Sequence, residues 1–393
     1  MQIEQKMNRR MSSSKTKKGN ILLVANYESD VGYAWWLMEN YWVEIARHFG
    51  AHGRTCFLVY PKIGAIPRRI EESGIRVHQH DFSDHSVTAL RRLQKLIVDN
   101  HITAIYLTDR PYHSWSYLLL RLFGIRRIVI HDHTPGERPP VAGLRRLLKT
   151  WLYKVPGILG DHFIGVSRFV FDRMIANACV PRERCSYVLN GIEPIQRNPD
   201  FQRYAHDVFK IPRDSRIVVS TGRATYYKGI DFLIRCAARV IRECHKNDVY
   251  FIHCGSGPDL ESFRRLTREL RVDDRFILAG QRSDVRQILQ SCDIGIQASK
   301  GEAFSLSILE YLSAGVATIV PDNCGNAEAV ENRVNGILYR TGDLDDAVKR
   351  LLELIDDKQL RNKLATAGME SVTSKFHIQR ANRELVAVLE GRL

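Results

Sequence analysis

At 393 residues the chain has room for two domains, each with a sizeable core, and its 44% hydrophobic and 26% charged residues are ordinary for a soluble globular protein. Eight scattered cysteines with no C-x2-C pair set aside a disulfide framework and suit reduced thiols in a cytoplasmic protein. A formal net charge of +14 asks for an anionic substrate or an anionic membrane face; with no helix-turn-helix, zinc-finger or ribonucleoprotein pattern, no nucleic-acid partner is expected.

Residues 1–18 read as a basic disordered tail, with Lys6, Arg9, Arg10, Lys15, Lys17 and Lys18 against Glu4 alone and no apolar run of the secretory-signal type. Nor does any run reach the roughly 20 apolar residues of a membrane span. Strands are expected at Ile21–Ala25, Thr55–Tyr60, Ile75–His78, Ala104–Thr108, Ile128–Asp132 and His162–Val166, with helical patterns between them. That alternation predicts a parallel, doubly wound sheet over residues 19–195. Residues 196–214, polar and weakly periodic, read as a linker. A second alternation fills 215–372, with strands at Ile217–Thr221, Val249–Cys254, Phe276–Ala279, Asp293–Gln297 and Ala317–Pro321. Closing helices are expected at about 343–356, 358–368 and 376–390, the last within a C-terminal segment 373–393. The fold class is therefore α/β, two doubly wound Rossmann-like domains.

The segment Ala298–Glu328 carries the chemistry. Glu302 and Glu310 are separated by seven residues, and the apolar positions Phe304, Leu306, Ile308, Leu309, Leu312 and Ala314 predict a helix that stops at Gly315. Free amides around Ala303, Phe304, Ser305 and Leu306 can hold an anion such as a diphosphate. Glu302 beside it could accept hydrogen bonds from a polyol, and Glu310 from a second pair of hydroxyls. An arbitrary acid pair at this spacing is usually a first-turn acid and a solvated surface charge. A strand entering the turn and another leaving the helix shift the balance, because α/β sheets bind ligands at such places. Arg223 and Lys228, five apart on the loop after a strand, could converge on a diphosphate and offset its charge.

Ser299, Glu302, Phe304, Leu309, Glu310 and Gly315, followed by a strand, Gly325 and Glu328, resemble the nucleotide-sugar site of retaining glycosyltransferases of family 4, which have the GT-B fold. The chain departs from that pattern at Ala303 and Ser305, where the family usually has Gly, and at Ala298, where it usually has Pro. The resemblance implies two Rossmann-like domains with an interdomain cleft, a nucleoside-diphosphate-sugar donor on the second, a hydroxyl acceptor on the first, no metal or other cofactor, and a last helix that packs back toward the first domain. It makes Arg223 and Lys228, in G-R-x4-K-G, the diphosphate clamp and leaving-group stabilisers. It places Gly255 and Gly257 near the nucleobase, Arg282 near the base or ribose, and Gly32 in a loop against the diphosphate. His133, with Asp132 as its substitute, falls near the reacting sugar, and Ser167 and Asn190-Gly191 shape the cleft.

The reading is a retaining glycosyltransferase acting on a glycan or lipid-linked acceptor in surface polysaccharide or glycolipid synthesis, cytoplasmic and peripheral on the inner membrane face. Its rivals are a nucleotide-sugar epimerase and a catalytically idle nucleotide-binding scaffold at a membrane. A dinucleotide oxidoreductase is disfavoured, since no G-x-G-x-x-G follows the first strand. Asp343-Leu344-Asp345 imitates a D-x-D metal motif, but capping explains it better. GLRRLLKTWLYKVPG, residues 143–157, fits an amphipathic helix covering the sheet, the preferred reading, or one docking on anionic lipid.

Overall fold

The computed structural model describes residues 19–31 and 35–392. Gly32 and the tail 1–18 lie outside the described residues. The first sheet holds β1 (Asn20–Val24), β2 (Cys56–Tyr60), β3 (Arg76–Gln79), β4 (Ile102–Thr108), β5 (Arg127–Asp132), β6 (His162–Gly165) and β7 (Cys185–Tyr187), in the order β3-β2-β1-β4-β5-β6-β7. The second holds β8 (Arg216–Thr221), β9 (Val249–Cys254), β10 (Phe276–Gly280), β11 (Ile294–Ile296), β12 (Ala317–Pro321) and β13 (Ile337–Tyr339), in the order β10-β9-β8-β11-β12-β13, all parallel. Strands such as CFLVY and ATIVP are buried at every position, as a sheet covered on both faces requires. In both sheets the order reverses direction beside the first strand. The loops after β8 and β11 therefore diverge at the switch point where open α/β sheets take ligands.

By backbone contacts the chain divides into two compact units. One contains the residues up to Asp132 with Gly143–Phe163, the other His133–Ala142 with Ile164 onward.

The expected strands are present within a residue or two of their predicted ends. Two strands were not expected, β7 and β13; each spans three residues, too few to show a periodicity. The helix Lys358–Lys375 runs past Gly368, where the sequence suggests a stop. There the missing side chain has a packing use, because a Cβ on Gly368 would lie 2.9 Å from Leu312 Cδ2. Residues 196–214 also carry structure: a 3-10 turn at Pro199–Phe201 and a helix at Tyr204–Phe209. Ala205 and Ile211 join Ile217, Ile252, Cys254 and Ile288 in one apolar core. The last helix, Ile378–Glu390, is anchored at its start by Ile192 N–H to Phe376 C=O at 2.9 Å and Ile378 N–H to Ile192 C=O at 3.0 Å. Covering the sheet is not what helix Gly143–Leu152 does, for none of its residues is buried.

Two side chains fasten the second unit around the switch point. Tyr311, fully buried on helix Leu306–Ala314, takes the Thr221 N–H on its phenol oxygen at 2.6 Å and meets the Thr221 hydroxyl at 3.1 Å. Its ring fits because β11 offers Gly295, where a Cβ would sit 2.7 Å from it. Glu328 accepts from the amides of Arg168, at 2.8 Å, and Phe169, while Ser167 caps the same helix, Arg168–Ala176, by accepting from Val170 N–H. Burial holds the Glu328 carboxyl above its ordinary range, against the opposing pull of those two amides.

Tyr311→Phe leaves the Thr221 amide without its acceptor in a dry interior. It is expected to destabilise the fold by about 1–3 kcal/mol, read as a lower midpoint in urea. For Glu328 the folded-state value is raised, so its favourable contribution is complete below the unfolded-state value and is lost as pH rises through the folded one. The stability of the native chain relative to Glu328→Gln should therefore increase as pH falls from 7.5 towards 5. A difference that stays flat in paired thermal melts would contradict the assignment.

Candidate functional site

The turn 297–305 after β11 is gripped from two sides. On one side stands the 3-10 turn Tyr226–Lys228, whose Tyr227 hydroxyl donates to Gly301 C=O at 2.6 Å while Lys300 N–H donates to Tyr227 C=O at 3.0 Å. Gly229 follows at φ +71°, and a Cβ there would fall 2.1 Å from Ala298 O. On the other side is the 3-10 stretch Cys324–Ala329. Gly325 N–H donates to Glu302 C=O at 2.9 Å, and a Cβ on Gly325 would lie 1.9 Å from Ala303 O. Asn323 and Asn326 donate side-chain amides to Lys300 C=O and Ser299 C=O. Backbone this close on both flanks leaves the turn little freedom.

Within that grip Lys228 Nζ reaches Glu302 Oε1 at 2.5 Å, with the carboxylate 11% and the lysine 28% exposed. The two residues predicted to work together are thus in contact, although 74 positions separate them. The helix they overlook begins without a side-chain cap. Ser305 is its N-cap residue, yet its hydroxyl accepts from Gln297 Nε2 at 3.0 Å and caps no amide. The first amides of Leu306–Ala314 therefore have neither an intrahelical acceptor nor a hydroxyl in front of them. With the helix dipole behind them, they form a place for negative charge. Ala303, Phe304 and Ser305 are buried, as is Glu310 inside the helix, and Phe304 packs on Phe376 with ring centres 5.8 Å apart.

Arg223 sits on the loop between β8 and that 3-10 turn, exposed, its guanidinium making no hydrogen bond or ion pair among the described residues. Gly222 and Gly255 adopt φ +142° and +157°, and a Cβ on Gly255 would strike Gly222 O at 1.7 Å. A Cβ on Gly257 would meet Ala224 O at 2.4 Å. Both glycines thus let the loop after β9 stack on the loop carrying Arg223. Arg282 pairs in two-pronged fashion with Asp284, which also accepts from Tyr204 at 2.8 Å. His133 is half-buried just after β5, and its loop returns to the site: Gly136 Cα lies 3.3 Å from where a Cβ on Gly301 would be. Arg173 holds that loop by donating to the Thr134 and Gly136 carbonyls. His131 is a core residue, meeting the Tyr106 hydroxyl through Nδ1 at 2.5 Å, and Asp132 accepts from Tyr112. Asp343 caps its helix by accepting from Asp346 N–H.

Sequence reasoning missed Tyr227, Gln297, Asn323 and Asn326, which hold the turn. Their contacts run to backbone carbonyls or to Ser305, so no local pattern marks them. It also missed His253, buried under the same loops and bonded through Nδ1 to Ser220 at 2.8 Å; burial pushes it down to about 4, so it stays neutral. A hollow of about 440 Å³ lined by Leu189, Glu328, Glu331, Lys375, Phe376 and Arg380, among others, includes none of the predicted donor residues.

Comparison with known proteins identifies the family and the fold. Residues 38–196 match the family described as Glycosyltransferase Family 4, and residues 202–371 match Glycosyl transferases group 1. Over 165 residues, 42% of this chain and 47% of the other, it is 27% identical to the lipopolysaccharide core biosynthesis glycosyltransferase LpsE of Rhizobium meliloti. The chain spans about half the length of the curated relatives it matches. Among solved structures, a glycosyltransferase from Rickettsia africae superposes with a TM-score of 0.79 at 17% identity, over 95% of this chain and 98% of that one. Anabaena Alr3699/HepE in complex with UDP gives 0.74 at 16%, over 95% and 100%. The chain belongs to the family 4 glycosyltransferases and has their GT-B fold of two Rossmann-like domains.

Proposed function

We propose that the chain is a retaining glycosyltransferase that moves a sugar from a nucleoside-diphosphate sugar to a hydroxyl acceptor, a glycan or a lipid-linked saccharide, in the synthesis of a surface polysaccharide or glycolipid. The observation that carries the reading is the Lys228–Glu302 pair standing over a helix start that no side chain caps. The amides of that start take the diphosphate, and Lys228 with Arg223 neutralises the charge that grows on it as the glycosidic bond breaks. No bound metal is called on for that charge, since the protein's own cations carry it. Glu302 accepts from hydroxyls of the sugar ring, and Glu310 takes the ribose. His133 is assigned to the reacting sugar and acceptor, Gly255 and Gly257 to the nucleobase loop, and Arg282 to the base or ribose. With no carboxylate assigned as a covalent nucleophile, the acceptor oxygen bonds to the anomeric carbon from the face on which the bond to the diphosphate breaks, and its proton passes to the departing diphosphate oxygen, which preserves the anomeric configuration.

The likeness to LpsE, named for lipopolysaccharide core synthesis, supports a glycolipid or polysaccharide product. The complex of the Anabaena protein with UDP-glucose makes UDP-glucose the first donor to try. No described helix is long and apolar enough to cross a membrane, and none of the eight cysteines is in a disulfide. The reading places the enzyme in the cytoplasm, working against the inner membrane face.

A panel of uridine, guanosine and adenosine diphosphate sugars, scored by thermal shift, identifies the donor. With that donor, radiolabelled, product should form only when an acceptor is present; an acceptor-independent change in the sugar would instead mark an epimerase. Glu302→Gln and Lys228→Met are each expected to lower kcat by about 10²–10³. Near-normal turnover in either would sink the site assignment.

A further inference from the structure

The first compact unit carries an apolar surface that nothing in the described chain covers. On helix Gly143–Leu152, Leu144, Leu147, Leu148 and Trp151 recur at the i, i+3, i+4, i+7 spacing of one face. They are 70%, 68%, 59% and 70% exposed. Helix Trp115–Leu122 repeats the pattern with Trp115, Leu118 and Leu122, exposed by 66%, 37% and 73%. The segment that follows the second helix packs beside the first. His113 faces Tyr153 with ring centres 5.2 Å apart, Arg121 Nε donates to Gly157 C=O at 3.2 Å, and a Cβ on Gly157 would touch Leu118. Tyr153 is buried, so the segment is moored at its end while its helix stands in solvent.

The charge carried by these two helices and the stretch after the second is of one sign. Residues 115–122 and 143–157 contain no Asp or Glu, while they bring Arg121, which pairs with Asp161, and Arg145, Arg146, Lys149 and Lys154. Of these, Arg145, Arg146 and Lys154 make no ion pair among the described residues. Large apolar tips ringed by unpaired cations match one surface, a bilayer bearing anionic headgroups: leucine and tryptophan enter the acyl boundary, and arginine and lysine stay among the phosphates. A second copy of the chain fits badly, because it would set these cations against their own kind.

We propose that helices Trp115–Leu122 and Gly143–Leu152 form a docking face for an anionic membrane, with Trp151, Trp115 and the exposed leucines inserting and Arg145, Arg146 and Lys154 holding the headgroups. This goes beyond the transferase reading and does not require it, since docking is measured without any sugar transfer.

The full chain is sedimented with vesicles of phosphatidylcholine alone and of phosphatidylcholine with one third phosphatidylglycerol. Binding to the anionic vesicles is expected to be at least about tenfold stronger and to weaken in 0.5 M salt. Each cation near an anionic surface contributes about fivefold, so Arg145→Glu with Arg146→Glu should reduce binding by more than about tenfold. Leu148→Ser with Trp151→Ser should do the same without altering the thermal melt, because both side chains are exposed. Four results would overturn the proposal: no binding by the native chain, equal binding to neutral vesicles, unchanged binding in both variants, or a native dimer that the Leu148→Ser, Trp151→Ser variant dissociates.

Discussion

A helix start that keeps its amides open is the constraint on which the second unit depends. At the N-cap of a helix the favoured residues are those whose side-chain oxygen accepts from the first N–H groups. In Leu306–Ala314 the N-cap residue is a serine, the right type for that task, but its oxygen is drawn aside by Gln297. Gln297 is itself fixed, since its carbonyl accepts from Tyr339 at 2.9 Å and its N–H donates to Ile319 C=O at 3.0 Å. An anion arriving at the open amides displaces no protein ligand. The helix cannot slide away either, because Tyr311 ties its middle to the end of β8 and Ser307 donates to Thr221 C=O.

The ion pair of Lys228 with Glu302 follows from the same arrangement. Neither residue lies on a regular strand or long helix; each rides a short turn, and the turns are clasped by carbonyl-directed bonds from Tyr227, Asn323 and Asn326. A carboxylate 11% exposed beside a lysine 28% exposed is already largely removed from water. What it meets there is a fixed partner, so little reorganisation is left for the moment when charge moves. Tyr227 lies within the same field: burial first, then the Glu302 charge, keeps its phenol protonated and able to donate to Gly301.

Much of this was legible in the sequence because βα alternation and the helix from Phe304 to Gly315 are strong local patterns. The contact between Lys228 and Glu302 was legible for another reason, that the two residues sit in short motifs similar to those of a known family. What stayed hidden was tertiary. Gly368 looks like a helix stop and is a contact point for Leu312; the cover expected from helix Gly143–Leu152 is absent because nothing among the described residues packs on its apolar face. Three-residue strands such as β7 and β13 exist through pairing with a neighbour, which a single segment cannot reveal. The capping of helix Arg168–Ala176 by Glu328, 160 positions away, belongs to the same class.

Gly229 and Gly325 press on opposite flanks of one loop, main chain against main chain, with room for not even a methyl group. Variation is therefore distributed unequally. The squeezed loop can exchange one small residue for another, as Ala303 and Ser305 do where glycine is customary, since its path is imposed from outside. The two jaws have no such latitude, so change that keeps the fold falls on side chains lining the loop rather than on the course of its backbone.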